Sequence, residues 1–355
     1  MPAQPRGLAR GFHRFTHAPW WVHVLATLGA VLLLVLIAAA VAGALFVDFV
    51  REHGPGNVET PPQSAPSAEE TLELAKRFAP ILKLHSTEPF VPIPRAAYVS
   101  RTSLKQQVGR DEVLVDPRPT VDNLPDVEGT CLAVRGCFYY LDVRGVEPDP
   151  PKHVEGAYRD IQQQLLREGN RPTVYYHVTR YDDTGDYAVQ YWFLYIFNFR
   201  LNEHESDWEQ ITVRVNADKE PTAVLYSAHE GGNIRLWGSI EKEGDHPVVY
   251  PALGSHANYF SAGRHRVQVL CKRVIGSIAQ CLRGRKLLVD VADGGGTTLG
   301  PDQYDLTQFS GPVFVGNYGT GNYVVLTRRQ ASFRDPRLRL LWEDPLRPMR
   351  LTGAG

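Results

Sequence analysis

The chain has 355 residues, 43% of them hydrophobic and 22% charged, and a formal net charge of −1. That length and balance suit one large folded domain or two smaller ones and exclude a chain that is disordered throughout. A near-neutral charge with no long run of lysine and arginine supplies no basic field, which argues against nucleic acid as a partner.

From Val24 to Val47 there is no charged residue. At about 1.5 Å per residue such a run crosses a hydrocarbon layer of roughly 30 Å, so the spacing predicts a single transmembrane helix over 22–47. Trp20 and Trp21 stand where an interfacial aromatic belt would be. Arg6, Arg10 and Arg14 precede the run, while Asp48, Arg51 and Glu52 nearly cancel beyond it, which orients the N-terminus to the cytoplasm. The alternative is a cleaved signal peptide using Ala40-Val41-Ala42 or Ala42-Gly43-Ala44, although its apolar core would be unusually long.

The expected organisation is a cytoplasmic tail (1–21), the helix (22–47), a Pro-, Gly- and Ser-rich linker (48–68) and an extracytoplasmic domain (69–350). Ser67 with Glu70 offers a capping box, and Leu72, Leu74, Ala75 and Phe78 sketch a short helix before Pro80. Ile81 to Leu84 is an apolar run, after which Pro89, Pro92 and Pro94 keep the chain extended and exclude helix. The stretch from Tyr98 to Leu141 carries little signal. A second helix is predicted around Val154 to Arg167, with Val154, Tyr158, Ile161 and Leu165 on one stripe.

Strands then follow at Thr173–Tyr181, Tyr187–Phe197, Asp207–Val215, Thr222–His229 and Ile234–Trp237, with turns at Thr184-Gly185 and Asp218-Lys219. The Tyr187–Phe197 run is apolar on both faces, as in a central strand covered on both sides. The expected fold class is therefore mainly β, a β-sandwich with peripheral helices.

Four cysteines fit an oxidising compartment. Cys131 and Cys137 flank an Arg135-Gly136 turn, and Cys271 and Cys281 bracket Gly276-Ser277, so two local disulfides are expected, each stabilising by roughly 2 to 3 kcal/mol. A zinc site is the alternative, disfavoured by the lack of any C-x-x-C spacing.

The densest chemistry lies in His204-Glu205-Ser206-Asp207-Trp208-Glu209. Period-two alternation puts Asp207, Glu209, Ile211, Val213 and Val215 on one face, so two acids lead into a core-facing row. Unpaired carboxylates are costly to bury, and an imidazole with oxygen ligands suits a hard or borderline divalent cation such as calcium or magnesium. The competing reading is an acidic edge strand, solvated or paired with Arg200 and Arg214. His229, His246 and His256 each sit beside a glycine-bearing turn, and together with the acids they suggest one polar mouth at a sheet end. No Gly-x-Ser-x-Gly elbow is present, and Gly294-Gly295-Gly296 lacks the Lys-Ser/Thr of a phosphate loop.

Several blocks resemble a known family. Ala79 to His85, Gln190 to Phe193, His204 to Glu209, and His246 to Tyr250 with Ala252 to Ala257, in that order, look like the vacuolar protein sorting protein 62 family, with Phe314 to Gly319 as a weaker fifth block. That name implies little chemistry. The hexapeptide is also similar to the Gly-His-Arg-His-Asp-Trp-Glu heptad of necrosis- and ethylene-inducing peptide-like proteins, and Ser227-Ala228-His229 with Gly231 resembles their Ser-Ala-His-Gly-Gly block. Those proteins are secreted β-sandwich cytolysins with a divalent cation and affinity for sphingolipid sugar headgroups. The resemblance implies His204, Asp207 and Glu209 as cation ligands, with Asn198 near the place of an upstream aspartate ligand. Ser206 stands for the heptad's second histidine and Glu203 for its glycine. A membrane anchor is also at odds with a diffusible toxin.

The reading that results is a single-pass membrane protein, anchored through its own helix, whose extracytoplasmic domain uses a divalent cation to bind a glycan or lipid headgroup. His229, His246 and His256 are the candidate ligand-binding residues. The alternatives are a metal-dependent hydrolase with His229 or His256 as acid or base, and a structural cell-envelope protein whose metal stabilises the fold.

Overall fold

The computed structural model describes residues 59–126, 131, 137–147, 153–200, 203–228, 231–267, 289–320 and 334–353. The expected transmembrane helix, His229, Cys271 and Cys281 lie outside them. Among the described residues no helix is long and apolar enough to cross a membrane. The chain divides into two units, Met1–Glu59 and Thr60–Gly355, and all the elements below belong to the second.

The unit opens with β1 (Gln63–Ser64), which pairs with a strand more than a hundred residues away, so residues assigned to the linker already join the sheet. α1 (Ala68–Arg77) starts where the capping signal placed it, with the Glu70 amide donating to Ser67 Oγ at 3.2 Å. Leu74 and Ala75 are buried, but Leu72, expected on the same stripe, is exposed. β2 (Ile81–Lys83) follows, and α2 (Arg95–Ser100) begins at once after the proline-rich stretch. Pro94 stands at its N-cap, so the proline that excludes helix before it admits one after it.

β3 (Thr102–Val108), β4 (Asp111–Asp116) and β5 (Cys137–Val143) form a three-stranded antiparallel sheet, in order β4-β3-β5. Val113, Leu114 and Val115 of β4 are all exposed, which is why no burial period marks this region. The Cys131–Cys137 disulfide forms there, with Cα atoms 5.0 Å apart. α3 (Glu155–Arg167) buries Tyr158, which stacks on Phe197 with ring centroids 4.1 Å apart.

The largest sheet is a meander of β6 (Thr173–Tyr181), β7 (Tyr187–Asn198), β8 (His204–Val215), β9 (Pro221–Ala228) and β10 (Gly231–Leu236), each antiparallel to the next. A second sheet has the order β11 (Lys242–Glu243), β12 (His246–Pro251), β2, β16 (Thr298–Leu299), with β13 (Asn258–Tyr259) also on β12. β14 (Gly263–Arg266) pairs with β15 (Val289–Ala292), and β17 (Asp305–Gln308) adds to β6 in parallel. α4 (Leu340–Glu343) and α5 (Arg347–Thr352) close the described chain. The protein is mainly β, with several sheets and few helices.

β7 is buried at every position, as its two-sided apolar pattern requires. Tyr191, Phe193 and Tyr195 share a core with Ile211 and Val213 of β8, Leu82 of β2, Val249 of β12 and Leu74 of α1, so both larger sheets and α1 contribute to it. Each such side chain contributes about 1.5–3 kcal/mol on burial. The opposite face is covered from the C-terminal end: Ala188 and Ala223 pack with Leu346 and Met349, and the Trp342 ring lies 6.1 Å from that of Trp192.

One buried acid fastens that C-terminal segment. Asp335 Oδ2 accepts from the Phe314 amide (3.2 Å), the Tyr318 hydroxyl (3.2 Å) and Arg337 Nη2 (2.9 Å), and Arg95 Nη2 lies 3.6 Å away. Burial works against its charge, but Arg337 and Arg95 outweigh it and hold the carboxyl below its ordinary range. Asp335→Ala strands Arg95, itself buried, and is expected to cost about 3–5 kcal/mol in urea unfolding. Because the folded pKa is depressed, the wild type keeps this contribution above the unfolded pKa near 3.8 and loses it as pH falls below that, a loss the Ala variant does not show.

Candidate functional site

The first half of β8 is polar and pairs with β7 alone, since β9 pairs with Ile211–Val215, yet its side chains are buried and not solvated. His204, Glu205, Asp207 and Glu209 are all buried, which overturns the reading of a solvated edge strand. The arginines proposed as partners are engaged elsewhere: Arg214 with Asp186 at 2.7 Å, and Arg200 Nη2 with the Val289 carbonyl at 3.1 Å. The register sets Asp207 opposite Tyr195 and Glu209 opposite Phe193, so both acids stand among core aromatics.

Asp207 Oδ2 accepts from Asn198 Nδ2 at 2.9 Å and from His256 Nδ1 at 3.0 Å. His256 reaches it from the turn between β12 and β13. That turn is closed by the His256 amide on the Ala252 carbonyl (3.0 Å) and the Ala252 amide on the Ala257 carbonyl (2.9 Å). The imidazole stacks on Tyr195, centroids 3.8 Å apart, and its Nε2 lies 3.6 Å from Glu88 Oε1. Burial opposes its charge, but Glu88 and Asp207 together outweigh burial and hold His256 up at about 9. Its Nδ1 is thus engaged with the proposed ligand Asp207, and its Nε2 faces Glu88.

Glu209 accepts from the Ser227 hydroxyl, and burial together with the Asp207 charge pushes its carboxyl well up. Around these acids several buried polar atoms have no hydrogen-bond partner among the described residues: Tyr195 Oη, His256 Nε2 and Asn258 Oδ1. Arg339, from the C-terminal segment, donates to the Trp208 carbonyl at 2.9 Å, and its charge acts on Glu209 and Asp207.

The expected ligands are thus neighbours with unequal roles. His204 is kept neutral by burial, and Nδ1 donates to the Ser206 carbonyl at 2.7 Å, which leaves Nε2 as the acceptor nitrogen. Asn198 spends its amide locally, Nδ2 on Asp207 and Oδ1 on the Arg200 amide at 3.0 Å, so its oxygen is not turned to a cation. His246 lies at the other end of β12 from His256, and its Nδ1 is 2.7 Å from the Ala79 carbonyl, so it joins two elements and is not part of this mouth. Among the described residues no three of His, Cys, Asp and Glu are placed to hold an ion unaided. The donor set fits a divalent cation only in part: Asp207 and Glu209 offer carboxyl groups, and a cation there would need further oxygens.

Glu205, inside the hexapeptide, has a different task. It accepts from the Tyr158 hydroxyl (2.8 Å) and the Val143 and Thr320 amides (3.0 Å each), tying α3, β5 and residue 320 to β8. Burial and the charge of Asp142 push it up to about 8 in spite of these donors. Glu88, Tyr195, Asn258 and Arg339 were not foreseen. Glu88 meets Gly254 across 166 positions, and no local spacing marks such a contact.

Residues 184–293 match the family model described as vacuolar protein sorting-associated protein 62. No curated protein matches the chain. Among solved structures, NLPPya in complex with glucosamine is similar at 19% identity, over 58% of this chain and 74% of that one, with a TM-score of 0.32. A structure described as a toxin fold for microbial attack and plant defense is similar at 16% identity, over 71% of this chain and 78% of that one, also at 0.32. Scores this low leave the site to be read from its own geometry.

His256→Phe preserves a ring over Tyr195 but removes the charge between Asp207 and Glu88. The expected loss is about 3–5 kcal/mol in chemical denaturation, the cost of leaving buried acids without their partner. A loss under about 1 kcal/mol would show that His256 carries no charge there.

Proposed function

We propose that the Asp207–Glu209 end of β8 holds a divalent cation, calcium or magnesium, and that this cation binds a polar ligand, a glycan or lipid headgroup, whose oxygens complete the shell. The observation that carries this reading is a group of three buried carboxyl groups beside polar atoms that have no hydrogen-bond partner among the described residues. Glu88, Asp207 and Glu209 are set around the His256 imidazole, with the charge of Arg339 also acting on Asp207 and Glu209, while Tyr195 Oη and Asn258 Oδ1 have no hydrogen-bond partner among the described residues. A bound cation would offset both the burial and the Asp207 charge that push Glu209 up, and an incomplete protein shell leaves coordination positions for the ligand. His204 and His229, the latter outside the described residues, extend the same reading. We further propose that the two larger sheets form a β-sandwich and that the domain stands outside the cytoplasm on the helix expected at 22–47.

The test is thermal melting and calorimetric titration of the purified chain with calcium, magnesium and chelator. Cation at a hundred times its Kd should stabilise the wild type by about 2.7 kcal/mol, and Asp207→Asn should abolish most of that gain. Glycans and lipid headgroups are then titrated with and without chelator. Binding lost on chelation supports the reading. A cation effect on melting without any ligand supports a purely structural ion, and a wild type indifferent to cation and chelator overturns the site.

A further inference from the structure

We propose that Glu88 is a positioning residue of this site: from the segment after β2 it holds the turn between β12 and β13 in the one place where His256 meets Asp207. The functional side of this inference rests on the reading above; the geometric side does not.

The Glu88 side chain is fully buried, and both of its oxygens are in use. Oε2 accepts from the Gly254 amide at 2.6 Å, Oε1 accepts from the Phe90 amide at 3.1 Å, and Oε1 also faces His256 Nε2 at 3.6 Å. The turn is clamped from its other side as well, since the Phe199 amide donates to the Gly254 carbonyl at 3.2 Å. Gly254 has φ 67, and a Cβ there would lie 2.6 Å from the Phe199 ring. Glycine is therefore required twice, for its backbone angle and for the ring against it. His256 itself has φ 52, a left-handed backbone that a β-carbon disfavours and that persists only where its surroundings over-determine it. Glu88 and Phe199 are those surroundings.

Asp207 belongs to the large sheet, Glu88 follows a strand of the second sheet, and His256 lies between them, so Asp207–His256–Glu88 is a charged line across the core. Loss of Glu88 frees the turn, lets the imidazole leave Asp207 and disorders the acid pair without removing a group that touches cation or ligand. Partners of this outer kind typically change affinity by about 10–100-fold.

The experiment uses the full-length chain labelled with nitrogen-15. The His256 Nδ1 proton, shielded from solvent and held on Asp207, is observed by NMR in chelator, and calcium affinity is measured separately by calorimetry. Glu88→Gln keeps the volume but presents an NH2 to one of two amide donors. It should broaden or remove the His256 signal and weaken calcium about 10–100-fold, with native near-ultraviolet circular dichroism retained. Gly254→Ala leaves the Glu88 charge intact and drives the turn off the Phe199 ring, and it should remove the same signal. Glu88→Gln with a wild-type signal and wild-type calcium affinity overturns the proposal. Should Glu88→Gln fail to fold, Gly254→Ala decides, and a wild-type signal there overturns it too. A wild type that binds no calcium, together with a signal lost in both variants, keeps the positioning role and removes the cation reading.

Discussion

A carboxylate within a buried strand has to be met by charge or by donors, because its desolvation costs several kcal/mol even after relaxation. β8 places Asp207 and Glu209 in that position, two residues apart on the face that continues as Ile211 and Val213. The surrounding structure answers with His256 from the turn after β12, Asn198 from β7, Ser227 from β9 and the field of Arg339 from the C-terminal segment. Four separate parts of the chain thus converge on one strand end. The polar end of β8 is consequently an organising feature of the core and not a surface decoration.

The answer leaves some polar atoms beside the acids unmatched among the described residues. Among the described residues His256 is satisfied on Nδ1 but has no hydrogen-bond partner on Nε2, and the Tyr195 hydroxyl, beside three acids, has none. Folded proteins seldom leave such atoms orphaned, and clusters of them occur where water, an ion or a ligand is accommodated. The Asp335 cluster offers the contrast within the same molecule. There both oxygens are fully used by Arg337, Phe314 and Tyr318, with Arg95 close by.

Much of this was legible in the residues. The double-sided apolar run of β7, the alternation of β8, the turn at Thr184-Gly185 and the Ser67 cap are short-range signals, each decided within a few residues by side-chain period or backbone donors. The two-fold period also set Asp207 and Glu209 on the core face before any partner was known. Where burial was absent the signal failed: β4 exposes Val113, Leu114 and Val115, so no contrast between faces marks it.

What the sequence by itself determined is therefore the meander of strands between Thr173 and Leu236, the direction of the side chains along it, the cysteine pair Cys131–Cys137, and the concentration of acid in the first half of one strand. Only the tertiary structure decided who meets that acid. His246 and His256 occupy similar glycine-flanked contexts, yet one bonds the Ala79 carbonyl and the other Asp207, because they stand at opposite ends of β12. Glu88 and Arg339 enter from distant segments, Asn198 turns its amide nitrogen and not its oxygen to Asp207, and Arg200 and Arg214 pair away from it. Local period fixes where a side chain points. Charge compensation in a low-dielectric core is settled by whichever donors the folded chain brings within about 3 Å, and that is a property of the packing between elements, which no spacing along one strand encodes.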